Sequence, residues 1–183
     1  PLFCFNGMVD CEGAMLRAGN VSSGADWRQL LVPPVRHCRD SGLSKYFRGD
    51  AGFARLQLYW YLETEGFRYA IRLPANQVLQ QNIAALVDRP DYNYDRIVVR
   101  YYQLRYQAGS WQRSRRVVVQ LKWHPGKLFA EVSFVVTNMN RSPQAVVEFY
   151  NKRGKAEQWI KEGKYALNWT RLSSHRSRPI MSD

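Results

Sequence analysis

The alternation of apolar and polar residues along the chain is clearest in residues 115–123. Apolar side chains at every second position alternate there with Arg116, Gln120 and Lys122, which is the pattern of a strand buried on one face. Other short apolar runs, rich in β-branched and aromatic residues, indicate further strands. These are predicted over residues 2–6, 12–17, 45–48, 67–73, 97–106 and 128–137.

Four other segments have the spacing of helices. The first contains Pro33 and Pro34, and because proline in a helix interior removes a hydrogen bond, we expect this helix to be kinked or interrupted. The second is expected to close at Gly66. The predicted helices span residues 24–39, 53–65, 76–87 and 142 to about 161.

The composition indicates a folded and strongly basic protein. Of its 183 residues, 45% are hydrophobic and six are tryptophan, which is enough for one ordinary domain or a domain with an inserted subdomain. The formal net charge of +12 favours polyanionic partners, of which nucleic acid is the commonest. The alternative is an ordinary basic protein with a solvated cationic face.

The cysteines and the hydropathy exclude several classes of protein. Cys4, Cys11 and Cys38 are odd in number and have no C-x-x-C spacing, so neither a zinc site nor a disulfide framework is predicted. This cysteine usage is typical of a reducing cytoplasm. No apolar run has the length that a membrane span needs, and no Walker loop or dinucleotide fingerprint occurs.

Positive charge and aromatic residues are concentrated in residues 96–130, which hold eight Lys or Arg residues and no Asp or Glu. Cationic strands that carry aromatic side chains suit a nucleic-acid backbone and unstacked bases. Most of these aromatic residues are expected to belong to the core. Trp111, in a Gly-Ser-Trp turn, is the one that we expect to be exposed.

Four polar residues recur on one face of the last predicted helix. They lie at offsets of 0, 3, 7 and 14 positions, which at about 100° per residue form a stripe about 60° wide. Val146 and Ile160 share the stripe, so this face points toward a core or a site; the alternative is a solvated helix face. The four residues are Tyr150, Arg153, Glu157 and Lys164, with Lys161 beside them.

The spacing Y-(2)-R-(3)-E-(6)-K resembles the signature of bacterial insertion-sequence transposases of the DDE type. Residues 45–53, KYFRGDAGF, resemble the strand that carries the second acidic residue of that family. Further resemblance, in the same order as in the family, runs through residues 16–20, 69–73 and 135–139 and covers the chain from Pro1 to about residue 174.

The resemblance implies a fold and a domain organisation. The fold class is α/β, with a ribonuclease H-like mixed sheet flanked by helices and interrupted by a β-rich insertion. Residues 1–74 and 142–183 would form the catalytic core, the latter with the signature helix and a loose tail. Residues 75–141 would form the insertion subdomain.

The resemblance also implies an activity. Asp50 and Glu157 would bind Mg²⁺ or Mn²⁺, and the enzyme would cleave phosphodiesters at transposon ends and transfer the strand to target DNA. From these nine residues alone, Asp50 could equally be a turn residue. The expected partners are double-stranded DNA and a second copy in a synaptic homodimer, in the bacterial cytoplasm and at the nucleoid when DNA is bound. The residues expected to bind DNA are Tyr150, Arg153, Lys161, Lys164, Arg48, Trp111, Arg113, Arg115 and Arg116.

The chain departs from the family pattern at the first of the three acids. That acid belongs to an opening strand before the hairpin at residues 2–17, and no residue here aligns with it. Asp10 lies in the hairpin turn and is a poor substitute. We therefore expect the chain to be truncated at both ends and inactive in isolation. The alternatives are a non-catalytic DNA-binding remnant or regulatory fragment, and another ribonuclease H-like nuclease that cuts without strand transfer.

Overall fold

The computed structural model describes residues 2–5, 11–15, 24–37, 39, 42, 44–87 and 96–152. The chain divides into two compact units. One comprises Pro1–Ser44 and Lys152–Asp183, and the other comprises Lys45–Asn151.

Within the residues that the structure describes, the first unit contains a β-hairpin and one helix. Strands β1 (Leu2–Phe5) and β2 (Cys11–Met15) pair antiparallel, with an irregularity in register between Cys4 and Phe5. Helix α1 (Trp27–His37) buries Trp27, Leu31 and Val35, whose spacing of four residues places them on one face. Helix α1 continues through Pro33 and Pro34 as one element. The sequence predicted that the prolines would kink or interrupt this helix, and interruption does not occur.

The second unit is built on one mixed sheet of five strands in the order β3-β4-β7-β6-β5. Strand β3 is parallel to β4, and the other neighbouring pairs are antiparallel. The predicted strands are confirmed, with ends shifted by three residues at most. They are β3 (Tyr46–Gly49), β4 (Arg68–Leu73), β5 (Val98–Tyr106), β6 (Arg115–Trp123) and β7 (Glu131–Thr137).

In the described residues of this unit, three helices and two short 3-10 helices accompany the sheet. The helix predicted from residue 53 begins later, because Asp50 caps a separate 3-10 turn at Ala51–Phe53. Gly66 follows the end of that helix with a φ of 74°, a conformation that favours glycine. The helices are α2 (Leu56–Thr64), α3 (Gln77–Ile83, followed by the second 3-10 helix, Ala84–Leu86) and α4 (Pro143–Asn151).

Helices cover both faces of the sheet. Tyr59 of α2 stacks on Tyr69 of β4, with ring centroids 5.6 Å apart. Ala70, the next residue of β4, packs instead in a buried cluster with Val146 and Val147 of α4. Because successive side chains of a strand point to opposite faces, α2 and α4 lie on opposite sides of the sheet.

The strands predicted to form the insertion belong to the same sheet as β3 and β4. Strand β7 pairs directly with β4, where Ile71 lies opposite Val136, and α4 returns to pack on both. The boundaries at residues 75 and 141 stay a prediction. In the part of the chain that the structure describes, no helix has the length and apolar character that crossing a membrane requires.

Candidate active site and arginine cleft

Asp50 lies directly after β3, at the start of the 3-10 turn Ala51–Phe53. Its Oδ1 accepts a hydrogen bond of 2.9 Å from the backbone N–H of Gly52. The residue before it has to be small, because a Cβ atom at Gly49 would lie 2.9 Å from Phe47 Cε1 and 3.0 Å from Phe53 Cβ. Local packing therefore fixes the position of the carboxylate, which is half-buried.

Asp50 also meets the chemical requirement for a metal ligand. A carboxylate is a hard oxygen donor of the kind that Mg²⁺ and Mn²⁺ prefer. An ionised carboxylate has about four lone-pair sites, so the bond to Gly52 is compatible with that role. Among the residues that the structure describes, no three His, Cys, Asp or Glu side chains converge on a possible metal site.

Helix α4 is attached to the strand that leads to Asp50. Arg48 Nη1 donates a hydrogen bond of 3.3 Å to the backbone oxygen of Phe149, and the Arg48 guanidinium lies 5.1 Å from the centroid of the Phe149 ring. The ring of Tyr46 also contacts Phe149, with centroids 5.7 Å apart. Arg48, predicted to bind DNA, therefore holds the end of α4 against β3.

The first residue of the signature spacing is Tyr150, in the last turn of α4. It is half-buried and packs against the cluster that includes Ala70, Val118 and Val135. This agrees with the expectation that the stripe faces the interior. The other predicted residues of the signature helix, Arg153, Glu157, Lys161 and Lys164, lie outside the described residues.

A second group of polar side chains surrounds Glu63 on α2. Arg115 contacts both carboxylate oxygens, with Nε 3.2 Å from Oε1 and Nη2 3.3 Å from Oε2. Tyr69 donates its hydroxyl proton to Oε1 at 2.9 Å, and Arg113 Nη2 donates to Oε2. One carboxylate thus binds two of the five arginines that were expected to bind DNA.

Arg115 is buried, with 4% of its side chain exposed. Its guanidinium lies 5.0 Å from the centroid of the Tyr59 ring and 5.3 Å from that of Trp111, and such contacts stabilise a cation when water is excluded. Trp111 is itself 6% exposed. The expected exposure of Trp111 was wrong, because the edges and faces of Tyr59 and Tyr106 enclose its ring.

The surroundings of Glu63 shift the pKa values of the group. Burial raises the pKa of Glu63, but the hydrogen bonds from Arg115, Tyr69 and Arg113 together outweigh it, so that the pKa lies below its usual value. Burial, followed by the charge of Glu63, raises the pKa of Tyr69. Glu63 is therefore ionised and Tyr69 neutral at pH 7.

Arg116 is held differently from Arg115. Its guanidinium donates to the backbone oxygens of Met139 at 2.6 Å and Arg141 at 2.7 Å, and to Gln103 Oε1 at 2.9 Å. Within the part of the chain that the structure describes, it has no carboxylate partner, and burial lowers its pKa. The charge of Arg116 is thus fixed in place by neutral groups and is not neutralised.

These side chains line a cleft of about 1030 Å³ at the end of the sheet where β4 and β6 begin and β5 and β7 end. We call it the arginine cleft. The residues just before α4 complete its wall. Its charged lining residues are Glu63, Arg105, Arg113, Arg115, Arg116 and Arg141.

Sequence reasoning missed Glu63, Arg105 and Arg141 in this cleft. Glu63 lies 50 and 52 positions from its arginine partners, a separation at which no periodicity links the residues. Arg105 could have been found, because the alternation in 97–106 and 115–123 predicts two paired strands. The register that places it opposite Arg116 is not readable from that pattern.

The second unit thus combines a mixed sheet covered by helices on both faces, an acid directly after β3 and a cleft lined mainly by arginines. The model of one protein family, described as Transposase DDE domain group 1, matches residues 1–179. The chain therefore belongs to the DDE transposase family, whose members are nucleases and strand transferases of DNA transposition. No curated protein and no solved structure matches the chain.

Proposed function

We propose that the chain carries the catalytic domain of a DNA transposase that cleaves phosphodiesters at transposon ends and transfers the strand to target DNA. The observation that carries the proposal is the attachment of Phe149, the residue before Tyr150, to Arg48, two residues before Asp50. The two segments that the resemblance assigns to the active site are thereby in contact.

The proposal includes a ribonuclease H-like arrangement of the core. The parallel pair β3 and β4 and the packing of α4 across the sheet support it. In this arrangement the strands from 98 to 137 extend the core sheet beyond β4, which fits an insertion that is β-rich and that precedes the signature helix.

Asp50 and Glu157 would hold the divalent ions. When bound, Mg²⁺ or Mn²⁺ would activate water at the scissile phosphodiester and stabilise the leaving 3′ oxygen. Asp50 would supply oxygen ligands from a position that the turn after β3 fixes. Arg153 and Lys164 would bind phosphates near the cut, and Tyr150 would orient one through its hydroxyl group.

The test is strand cleavage by the protein expressed from its complete gene, since the isolated chain is expected to be inactive. The substrate is duplex DNA that carries the ends of the element encoding this chain, with Mg²⁺ or Mn²⁺ present. Asp50→Asn and Glu157→Gln should each reduce cleavage at least 100-fold. Each substitution removes a charged metal ligand, and the bound metal contributes several kcal/mol of transition-state stabilisation. Glu148→Gln is the matched control, since Glu148 is an exposed acid on α4 whose partner is Gln144.

The outcomes separate the competing functions. Cleavage that persists in Asp50→Asn or Glu157→Gln would contradict the assignment of the site. DNA binding without cleavage by the unmodified product of the complete gene would favour the non-catalytic alternative. Cleavage without joining of the 3′ end to target DNA would instead favour a nuclease that lacks strand transfer.

A further inference from the structure

The arginine cleft contains two like charges directly opposite one another. Arg105 of β5 is the register partner of Arg116 of β6, so both side chains lie on the same face of the sheet. Like charges at opposed positions destabilise an antiparallel pair. The neutral acceptors that hold Arg116 do not neutralise its charge. An anion bound between the two guanidinium groups would offset their repulsion.

The cleft as a whole has an excess of positive charge. It is lined by five arginines and one acid, Glu63, which gives a formal charge of 5 − 1 = +4. Glu63 neutralises the buried Arg115. Arg105 and Arg141 are exposed, and Arg116 is held rigidly by backbone oxygens on the same wall. The cleft is therefore prepared for a ligand with several negative charges.

We propose that the arginine cleft binds the phosphodiester backbone of duplex DNA, at a place separate from the metal site at Asp50. This inference rests on the proposed function, which supplies DNA as the ligand. The cleft lies at the end of the sheet where β4 begins. Strand β3 is parallel to β4, so Asp50, which follows β3, lies toward the end of the sheet where β4 ends. Guanidinium groups match phosphate oxygens by paired hydrogen bonds.

A polymer fits the cleft better than a single small anion. The arginines come from β5, from the segment leading into β6, from β6 itself and from the residues before α4, so their charges are distributed along the wall. Consecutive phosphates of one backbone can occupy such a series, and the cleft volume of about 1030 Å³ leaves room for it.

The experiment measures duplex binding without a divalent metal, by fluorescence anisotropy at several salt concentrations. The double variant Arg105→Gln/Arg141→Gln should lower the slope of log K against log salt by about two, because each phosphate contact contributes about one. Near 0.1 M salt its affinity should fall on the order of 10- to 100-fold. The lysine double variant Arg105→Lys/Arg141→Lys should keep both the slope and the fold. That result would show that the two positions tolerate substitution when the charge is kept.

Arg100→Gln is the matched control, because Arg100 is an exposed arginine of the same strand whose side chain lies over Trp123 and outside the cleft. An unchanged slope in the glutamine double variant, or an equal loss in Arg100→Gln, would overturn the proposal. Tight binding of inorganic phosphate with unchanged duplex binding would also overturn it. Failure of the metal site shows as cleavage that persists in Asp50→Asn, whereas failure of the cleft shows as an unchanged salt slope in the glutamine double variant, so the two failures give different results.

Discussion

At the scale of single residues, Glu63, which the sequence pattern did not single out, organises a group of polar side chains. It accepts from Arg113, Arg115 and Tyr69. Because Arg115 is buried, keeping its guanidinium group charged would cost much free energy without the Glu63 carboxylate. A residue expected to bind DNA is therefore part of the folded core.

Glu63→Gln should lower the free energy of unfolding at pH 7 by about 2–3 kcal/mol, because it leaves the charge of Arg115 buried and uncompensated. The pKa of Glu63 is lowered on folding, so its contribution is complete above the unfolded pKa of about 4.3 and is lost as the pH falls through the folded value. The difference between the two proteins should thus shrink in acid.

Urea denaturation between pH 7 and pH 3 measures this difference. The exposed Glu148→Gln serves as the control and should change stability by less than about 0.5 kcal/mol. A Glu63→Gln protein as stable as the unmodified one, or a loss that does not vary with pH, would show that the carboxylate is not coupled to Arg115.

The burial of Arg115 could be predicted from the sequence, but its pairing with Glu63 could not. The alternation in 115–123 places Arg115 on the same face as Val117 and Val119, which are fully buried, so its burial could be predicted from position. Its partner could not, because Glu63 and Arg115 meet only once α2 lies across the sheet. Likewise, the Gly-Ser-Trp turn suggested an exposed Trp111, and only the aromatic residues of α2 and β5 explain why it is buried.

At the scale of elements, the contact between β3 and α4 is the one on which the active-site proposal depends. It is made by the hydrogen bond and ring contact of Arg48 with Phe149. Strand β3 and the start of α4 lie within one residue of their predicted positions, whereas α4 ends at Asn151 and was predicted to reach about residue 161. The pattern of the sequence thus predicted both elements. It could not predict that they touch, because 101 positions separate the two residues.

Arg48→Ala should lower the stability by about 1–2 kcal/mol and accelerate amide hydrogen exchange in α4, since the charged hydrogen bond and the cation–π contact are both lost. Arg72→Ala, an exposed arginine on β4, should leave exchange in α4 unchanged. Equal protection of α4 in the two variants would mean that Arg48 does not hold the helix.

At the scale of the whole molecule, the net charge of +12 predicted a polyanionic partner but not where it binds. The strand order in the sheet decides where the arginine cleft, the proposed binding site, forms. Because β7 lies between β4 and β6, residues from both sides of the predicted insertion boundary meet at one end of the sheet and form the arginine cleft. Strand order of this kind is set by packing of both faces, and no local pattern in the chain encodes it.

The most direct test of the central claim is a calorimetric Mn²⁺ titration of the unmodified protein, Asp50→Asn, Glu157→Gln and the double variant. If both carboxylates bind one metal centre, each single variant should lose at least 10-fold in affinity, and the losses should be non-additive in the double variant. Mn²⁺ affinity that is unchanged in either single variant, or losses that add independently, would contradict a shared metal site.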